Sequence, residues 1–395
     1  MKCTLLRPMV ILLFISVLCI TVSAQEAKKP RARDLGIPFT GAPGAYNSIT
    51  DVPGLLVGYK TLIVGEGALE PGKGPVRTGV TVILPKGKSE KSYAAAWFNL
   101  NGDGEMTGLP YVEDYGTNSG AIGITNTNSV GVVRDAIGEW NYNNFTNKEL
   151  IDFSFGLPVV AETWDGLLND INGLHVKKED VFKALDSASS GSIAEGNVGG
   201  GTGMALYGFK GGSGTASRIV TINNKVYTLG VFIQANFGGM NELTIAGVPV
   251  GKELGGPKPI IHNPKRKDGS AIVIVATDAP LSPNQLKHLA KRVTHGIART
   301  GTISHDSSGE IFMAVSTATP EYNEDYTVEK WEVIPKWLLN PLYQATVEAT
   351  EEAIINTLVA AEEMKGINDN IFYPIPHAKL QEVLRKYNRL VESNK

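Results

Sequence analysis

Gly269-Ser270-Ala271-Ile272-Val273-Ile274-Val275-Ala276-Thr277 is a continuous apolar run of strand-forming residues that opens on a Gly-Ser bond. Such a run, too short for a typical helix and rich in β-branched residues, reads as a buried strand. The approach to it is basic and proline-bearing, from Gly255-Gly256-Pro257-Lys258-Pro259 through Asn263-Pro264-Lys265-Arg266-Lys267-Asp268, and reads as a loop. Cleavage of the backbone before Ser270 would give one residue both a hydroxyl and an adjacent free amine, a nucleophile with a built-in base. Taken alone, the same segment reads first as a surface loop feeding a core strand.

Working outward, the pattern on the C-terminal side is strand 271–277, helix 283–298 and strand 311–318. Ser282 caps that helix, Pro283 occupies its first turn, and Leu286, Leu289, Val293 and Ile297 form its buried stripe. A long helix is expected from about Leu342 to Met364, ending at Gly366, and a shorter amphipathic one from Ala378. On the N-terminal side, Asn47–Tyr59 reads as turn then strand, and further strands are expected at Gly79–Leu84 with Pro85 as the stop, at Ala94–Phe98, at Ala121–Thr125, at Val130–Val133 and at Val226–Ile233. Val159, Val160, Trp164, Leu167, Leu168 and Ile171 recur at spacings of three and four behind Pro158, which predicts a helix there. The sum is a mixed α/β chain with glycine-rich crossings where backbones approach closely.

Lys2 and Arg7, the apolar stretch Met9–Ile20 and Val22-Ser23-Ala24 form a secretory leader cut after Ala24, so the protein is expected to be periplasmic or secreted. The apolar stretch is too short to span a bilayer, and no membrane association is expected once the leader is gone. Both cysteines, Cys3 and Cys19, fall inside the leader, so the mature chain holds no thiol, disulfide or cysteine metal site. Val17-Leu18 before Cys19 argues against a lipoprotein. The whole chain carries 37 basic and 40 acidic residues, and removing Lys2 and Arg7 takes the net charge from −3 to −5. With no basic stripe beyond the loop before Ser270, a nucleic-acid partner is excluded.

Several constellations are candidates for chemistry. Ser308 and Glu310 stand two apart in an extended segment and so share one face, where a hydroxyl and a carboxylate can act on one target. Asn236 at the end of the 226–233 strand is an amide placed to donate to an oxyanion, or a turn cap. Glu162 is placed either to read a substrate ammonium or to favour the N-terminal end of its own helix. The glycine block Gly199-Gly200-Gly201-Thr202-Gly203 lacks the Gly-Lys-Ser/Thr of a phosphate loop, and it reads as tight, close-packed turns. His295 and His305 are conceivable bases for Ser270, but the histidines have no spacing for a metal, and no metal or cofactor is expected.

In order along the chain, these stretches resemble the DmpA-type self-processing aminopeptidases, the L-aminopeptidase/D-esterase-amidase and β-peptidyl aminopeptidase family. The matching segments are Asn47-Ser48-Ile49-Thr50-Asp51-Val52-Pro53-Gly54, Asn101 through Gly108, Ile124-Thr125-Asn126-Thr127, Pro158 through Thr163, Gly199 through Arg218, Gln234-Ala235-Asn236, Gly269-Ser270 with Ala276 through Leu281, and Ser308-Gly309-Glu310. They cover roughly residues 35–365. The resemblance implies an αββα four-layer sandwich like that of N-terminal-nucleophile hydrolases with different connectivity. It implies one domain over 25–395, cut at Gly269–Ser270 into 25–269 and 270–395 and assembled as a homo-oligomer of such pairs.

The same resemblance implies Ser270 as nucleophile, its amine or Ser308/Glu310 as base, Asn236 as oxyanion donor and Glu162 as the ammonium site. The implied substrates are short peptides, amides or esters with a free N-terminal amine. Where the family places a tyrosine two residues after the glutamate, this chain has Trp164, an indole donor of different reach facing the substrate. Two other readings are an acyltransferase of the related ornithine-acetyltransferase fold and a non-enzymatic glycine-rich binding protein. Serine at the nucleophile position and the leader argue against the first.

Overall fold

The computed structural model describes residues 29–145, 156–262, 269–318 and 330–392; the leader and the basic run at 263–268 lie outside them. Its strands are β1 (Leu56–Val64), β2 (Val76–Leu84), β3 (Ser92–Gly102), β4 (Thr117–Ser119), β5 (Ile122–Asn126), β6 (Val159–Thr163), β7 (Ala205–Leu206), β8 (Phe209–Lys210), β9 (Gly212–Ile222), β10 (Lys225–Asn236), β11 (Gly269–Thr277), β12 (Ser308–Ser316), β13 (Met364–Lys365) and β14 (Ile371–Phe372). The helices are α1 (Leu109–Tyr115), α2 (Val130–Phe145), α3 (Lys178–Ser187), α4 (Val250–Glu253), α5 (Pro283–Arg299), α6 (Asn340–Ala360) and α7 (His377–Lys386).

Two sheets carry the molecule, one in the order β1-β2-β5-β6 and one in the order β4-β3-β12-β11-β10-β9. Strand β11 lies inside the larger sheet, antiparallel to β10 and parallel to β12. Its alternation separates two cores: Ala271, Val273 and Val275 face α5 and α6, whereas Ile272, Ile274 and Ala276 pack between the sheets against Ile83, Ile122, Ile124 and Ala161. A third core closes the far side, where Val80, Val82, Leu84 and Val160 meet Val133, Ile137 and Trp140 of α2 and Val181 and Leu185 of α3. Helices, sheet, sheet, helices: the expected αββα sandwich is the observed one. Helix α5 begins as its sequence dictates, with Ser282 Oγ accepting from the Gln285 amide and Pro283 in the first turn.

Three expectations are corrected. Val130–Val133 is the first turn of α2, because Val130, Val133, Ile137 and Trp140 bury one face at helical spacing and the β-branched start hid that period. Val159–Thr163 is a strand, not a helix, so Glu162 has no helix terminus beside it. Both faces of that strand are buried, which removes the period-two signal and leaves the spacing from Pro158 to imitate a helix. Helix α6 stops at Ala360, not at Gly366; Ala361 turns extended, and the chain then pairs Met364 and Lys365 with Phe372 and Ile371. The block at Gly199–Gly201 is a tight turn wedged between the sheets. A Cβ on Gly200 would come within 2.2 Å of Gln234 Oε1, and one on Gly201 within 2.5 Å of Ser213.

Candidate active site

Strands from both sheets end at one place. Asn236 is the last residue of β10 and stands directly opposite Ser270, the second residue of β11. On the other side, Ser270 pairs in parallel register with Gly309 of β12, and Gly269 pairs with Ser308. All of these residues are buried. Gly269 has φ +130°, and a Cβ there would lie 2.2 Å from the Asn236 carbonyl oxygen, so the residue before Ser270 has to be glycine. Gly309 is equally constrained, because a Cβ would lie 2.4 Å from the Asp103 carbonyl oxygen.

The smaller sheet contributes the turn after β6. The backbone N–H of Trp164 donates to Ser270 Oγ at 3.3 Å. The carbonyl of the same residue accepts from Asn236 Nδ2 at 2.8 Å, and Asn236 Oδ1 accepts from the Ala205 N–H at 2.9 Å. The hydroxyl of Ser270 therefore faces a backbone N–H and, across the ladder, a side-chain amide. The Trp164 indole folds back over Gly166, where a Cβ would stand 2.5 Å from the ring. The Trp164 donor that reaches Ser270 Oγ is thus its main-chain N–H.

Ser308 Oγ donates to Glu310 Oε1 at 3.0 Å, and Asn101 of β3 donates its side-chain amide to Glu310 Oε2 at 3.0 Å. Burial raises the Glu310 carboxyl above its ordinary value, and the Ser308 and Asn101 hydrogen bonds oppose that shift. The ladder puts Ser308 on the face of Gly269, and Glu310 on that of Ala271, toward the helices. Ser270 shares the other face with Ile272, between the sheets. The Ser308 and Glu310 side chains thus stand on the face of the sheet opposite the Ser270 hydroxyl. A slip in the β3–β12 register after Glu310 brings Asn101 opposite it, a partner no sequence pattern announced.

Glu162 is 1% exposed and accepts from the Glu105 N–H at 3.1 Å and from the Thr127 hydroxyl. Gly104 lies between this carboxylate and β12: its Cβ would be 3.3 Å from Glu162 Oε1 and 3.2 Å from Gly309 Cα. His305 Nε2 is 2.6 Å from Glu242, and His295 lies exposed on α5; neither hydrogen-bonds Ser270. Among the described residues no three His, Cys, Asp or Glu side chains are grouped as metal ligands. A cavity of about 710 Å³ beside Arg31, Tyr46, Glu195 and Thr215 shares no residue with this site.

This geometry is a serine beside a backbone donor, a buried acid and a second carboxylate. The chain matches the model of peptidase family S58 over residues 47–372. It is 49% identical to the β-peptidyl aminopeptidase BapA of Sphingosinicella microcystinivorans over 93% of this chain and 95% of that one. It is 44% identical to BapA of Sphingosinicella xenopeptidilytica over 90% and 91% of the two chains. The L-aminopeptidase D-Ala-esterase/amidase of Ochrobactrum anthropi, a prototype of the serine aminopeptidases and a variant of the Ntn hydrolase fold, superposes with a TM-score of 0.86. It is 45% identical and covers 92% of this chain and 100% of its own. The β-aminopeptidase of a Burkholderia species gives 0.82 at 40% identity, covering 93% and 100%. Neither the acyltransferase nor the binding-protein reading gains support from these relatives. Likeness of this extent, in sequence and in fold, means that the chain belongs to peptidase family S58 and is a serine aminopeptidase with an N-terminal nucleophile.

Proposed function

We propose that the protein is exported, cuts itself between Gly269 and Ser270, and then removes N-terminal β-amino acids from short peptides. The observation that carries the catalytic part is the position of Ser270 Oγ, 3.3 Å from the Trp164 N–H and opposite Asn236. In self-cleavage, Ser270 Oγ attacks the Gly269 carbonyl and the C–N bond breaks. Water then releases the Gly269 carboxylate, leaving Ser270 with a free amine.

In turnover that amine takes the hydroxyl proton as Oγ attacks the first carbonyl of the substrate. The oxyanion is met by the Trp164 N–H and the Asn236 amide. The leaving amine takes the proton back, and water hydrolyses the ester. Ser308 and Glu310, beside Gly269 and Ala271 in the ladder, orient the Ser270 amine in this scheme. Glu162 binds the substrate ammonium and confines cleavage to the N-terminus.

Preference for β-amino acids is supported by the two near full-length relatives named β-peptidyl aminopeptidases. Export is supported by the leader at residues 1–24. Assembly as an oligomer of cut pairs follows the family resemblance. Intact mass and N-terminal sequencing of the purified protein test the cut: the expected result is a chain beginning Ser270-Ala271-Ile272-Val273, and one uncut, active chain overturns it. Comparing p-nitroanilides of a β-homoamino acid and of the matching L-amino acid tests the preference. A higher kcat/KM for the L-amino acid refutes it.

A further inference from the structure

Lys210 closes the short hairpin of β7 and β8 and is fully buried. Among the described residues no carboxylate pairs with it, and burial alone holds its pKa well below that of an ordinary lysine. Its Nζ donates instead to the carbonyls of Met204 at 2.7 Å and Gly211 at 2.8 Å. An ammonium buried without a counter-charge is costly, and the hairpin already has its backbone pairs Ala205–Lys210 and Leu206–Phe209. The lysine is therefore a poor choice for folding alone.

Its bond to Met204 leads to the active site in two steps. The Met204 carbonyl and the Ala205 N–H belong to one peptide group. That N–H donates to Asn236 Oδ1 at 2.9 Å, and Asn236 Nδ2 donates onward to Trp164 O at 2.8 Å. Two amides thus stand in series behind Lys210, each accepting at its oxygen and donating at its nitrogen in the same direction. Hydrogen bonds in such a chain polarise one another, so a donor at its head strengthens every donor beyond it. The peptide is also held from its flanks, by the Gly211 N–H on the Met204 carbonyl at 2.9 Å and by the Thr163 hydroxyl on Met204 Sδ at 2.9 Å.

We propose that Lys210 is a positioning residue for the aminopeptidase reaction, holding and polarising Asn236 through the Met204–Ala205 peptide so that its amide donates more strongly to the oxyanion. The inference rests on the reading of Asn236 as an oxyanion donor. An apolar residue at 210 fills the volume but leaves the amide chain without its head.

The test is the steady-state kinetics of Lys210→Met, Lys210→Gln, Asn236→Ala and the Lys210→Met/Asn236→Ala double variant on an amino-acid p-nitroanilide. Rates are expressed per mole of chain beginning at Ser270. Asn236→Ala is expected to lower kcat by on the order of 10²–10³-fold, and Lys210→Met by about ten-fold with KM little changed. Lys210→Gln, which keeps a neutral donor, falls between Lys210→Met and the parent. The double variant is no slower than Asn236→Ala alone. A Lys210→Met enzyme with unchanged kcat, or one whose loss multiplies with that of Asn236→Ala, overturns the proposal and leaves the Asn236 reading intact. Unchanged kcat in Asn236→Ala refutes that reading, and the proposal with it. If neither Lys210 variant folds, the lysine is structural and the proposal is rejected.

Discussion

Asn236 and Ser270 are partners in the ladder that joins β10 to β11, and both belong to the face between the sheets. A strand pair is a rigid way to hold an amide beside a hydroxyl, since the separation is set by the ladder rather than by flexible side chains. The Trp164 turn closes over them from the other sheet, so the site exists only where both sheets meet.

Ser270→Ala removes the attacking hydroxyl. The expected product is one continuous mature chain with no peptidase activity, read by denaturing gel and intact mass. A cut chain with measurable turnover would show that another residue performs both steps.

Gly269→Ala places a Cβ against the Asn236 carbonyl at a φ of +130°. The backbone strain is about 1–3 kcal/mol, and self-cleavage should slow sharply. Comparing the melting of Ser270→Ala with that of Gly269→Ala/Ser270→Ala isolates the strain, because both proteins stay uncut; equal melting temperatures would contradict it.

Glu162→Gln keeps the acceptor for the Glu105 N–H but loses the charge. Charged hydrogen bonds are worth about 1.5–3 kcal/mol, so KM for substrates with a free amine should rise about 10–100-fold. The ratio of activity on free to N-acetylated substrate should fall in step. An unchanged ratio would exclude Glu162 as the ammonium site.

Asp165, next to Trp164, is fully buried and its pKa is pushed up from 3.8 to about 7 by burial, against hydrogen bonds from Thr78, Asn169 and Asn126. Its Oδ2 has no hydrogen-bond partner among the described residues, so no donor supports charge on that oxygen. In that window the folded chain holds a proton that the unfolded chain has lost. Stability therefore falls as pH rises from 3.8 through about 7, by up to about 1.4 kcal/mol per pH unit. Asp165→Asn should flatten this slope, and melting temperatures across the range will show it; a slope identical to the parent's refutes the assignment.

Glu352 of α6 is completely buried and accepts from Arg33 at 2.7 and 2.8 Å, from Asn47 at 2.6 Å and from Arg218 at 2.8 Å. All three partners precede Ser270, so this carboxylate would tie together the two chains that the proposed cut produces. Glu352→Ala takes from the buried Arg218 its 2.8 Å partner and leaves it Glu348 at 3.5 Å, at a cost of about 3 kcal/mol. Lower melting temperature and separation of the two chains on size exclusion are expected, and full stability would show that the apolar core suffices.

The sequence by itself determined the strand behind Ser270 and which residues are candidates for the site. An apolar run after a Gly-Ser bond, a capped α5 and the Ser308–Glu310 spacing are local facts, set by a few neighbouring residues and by the period of a strand or helix. The tertiary structure alone decided which atom of Trp164 faces Ser270, that Asn101 holds Glu310, and that Ser308 and Glu310 lie on the sheet face opposite the Ser270 hydroxyl. It also decided that Val159–Thr163 is a strand, since burial on both faces erases the alternation by which a strand is recognised. These are contacts between residues tens to hundreds of positions apart, fixed by the register of two sheets, and no local pattern encodes a register.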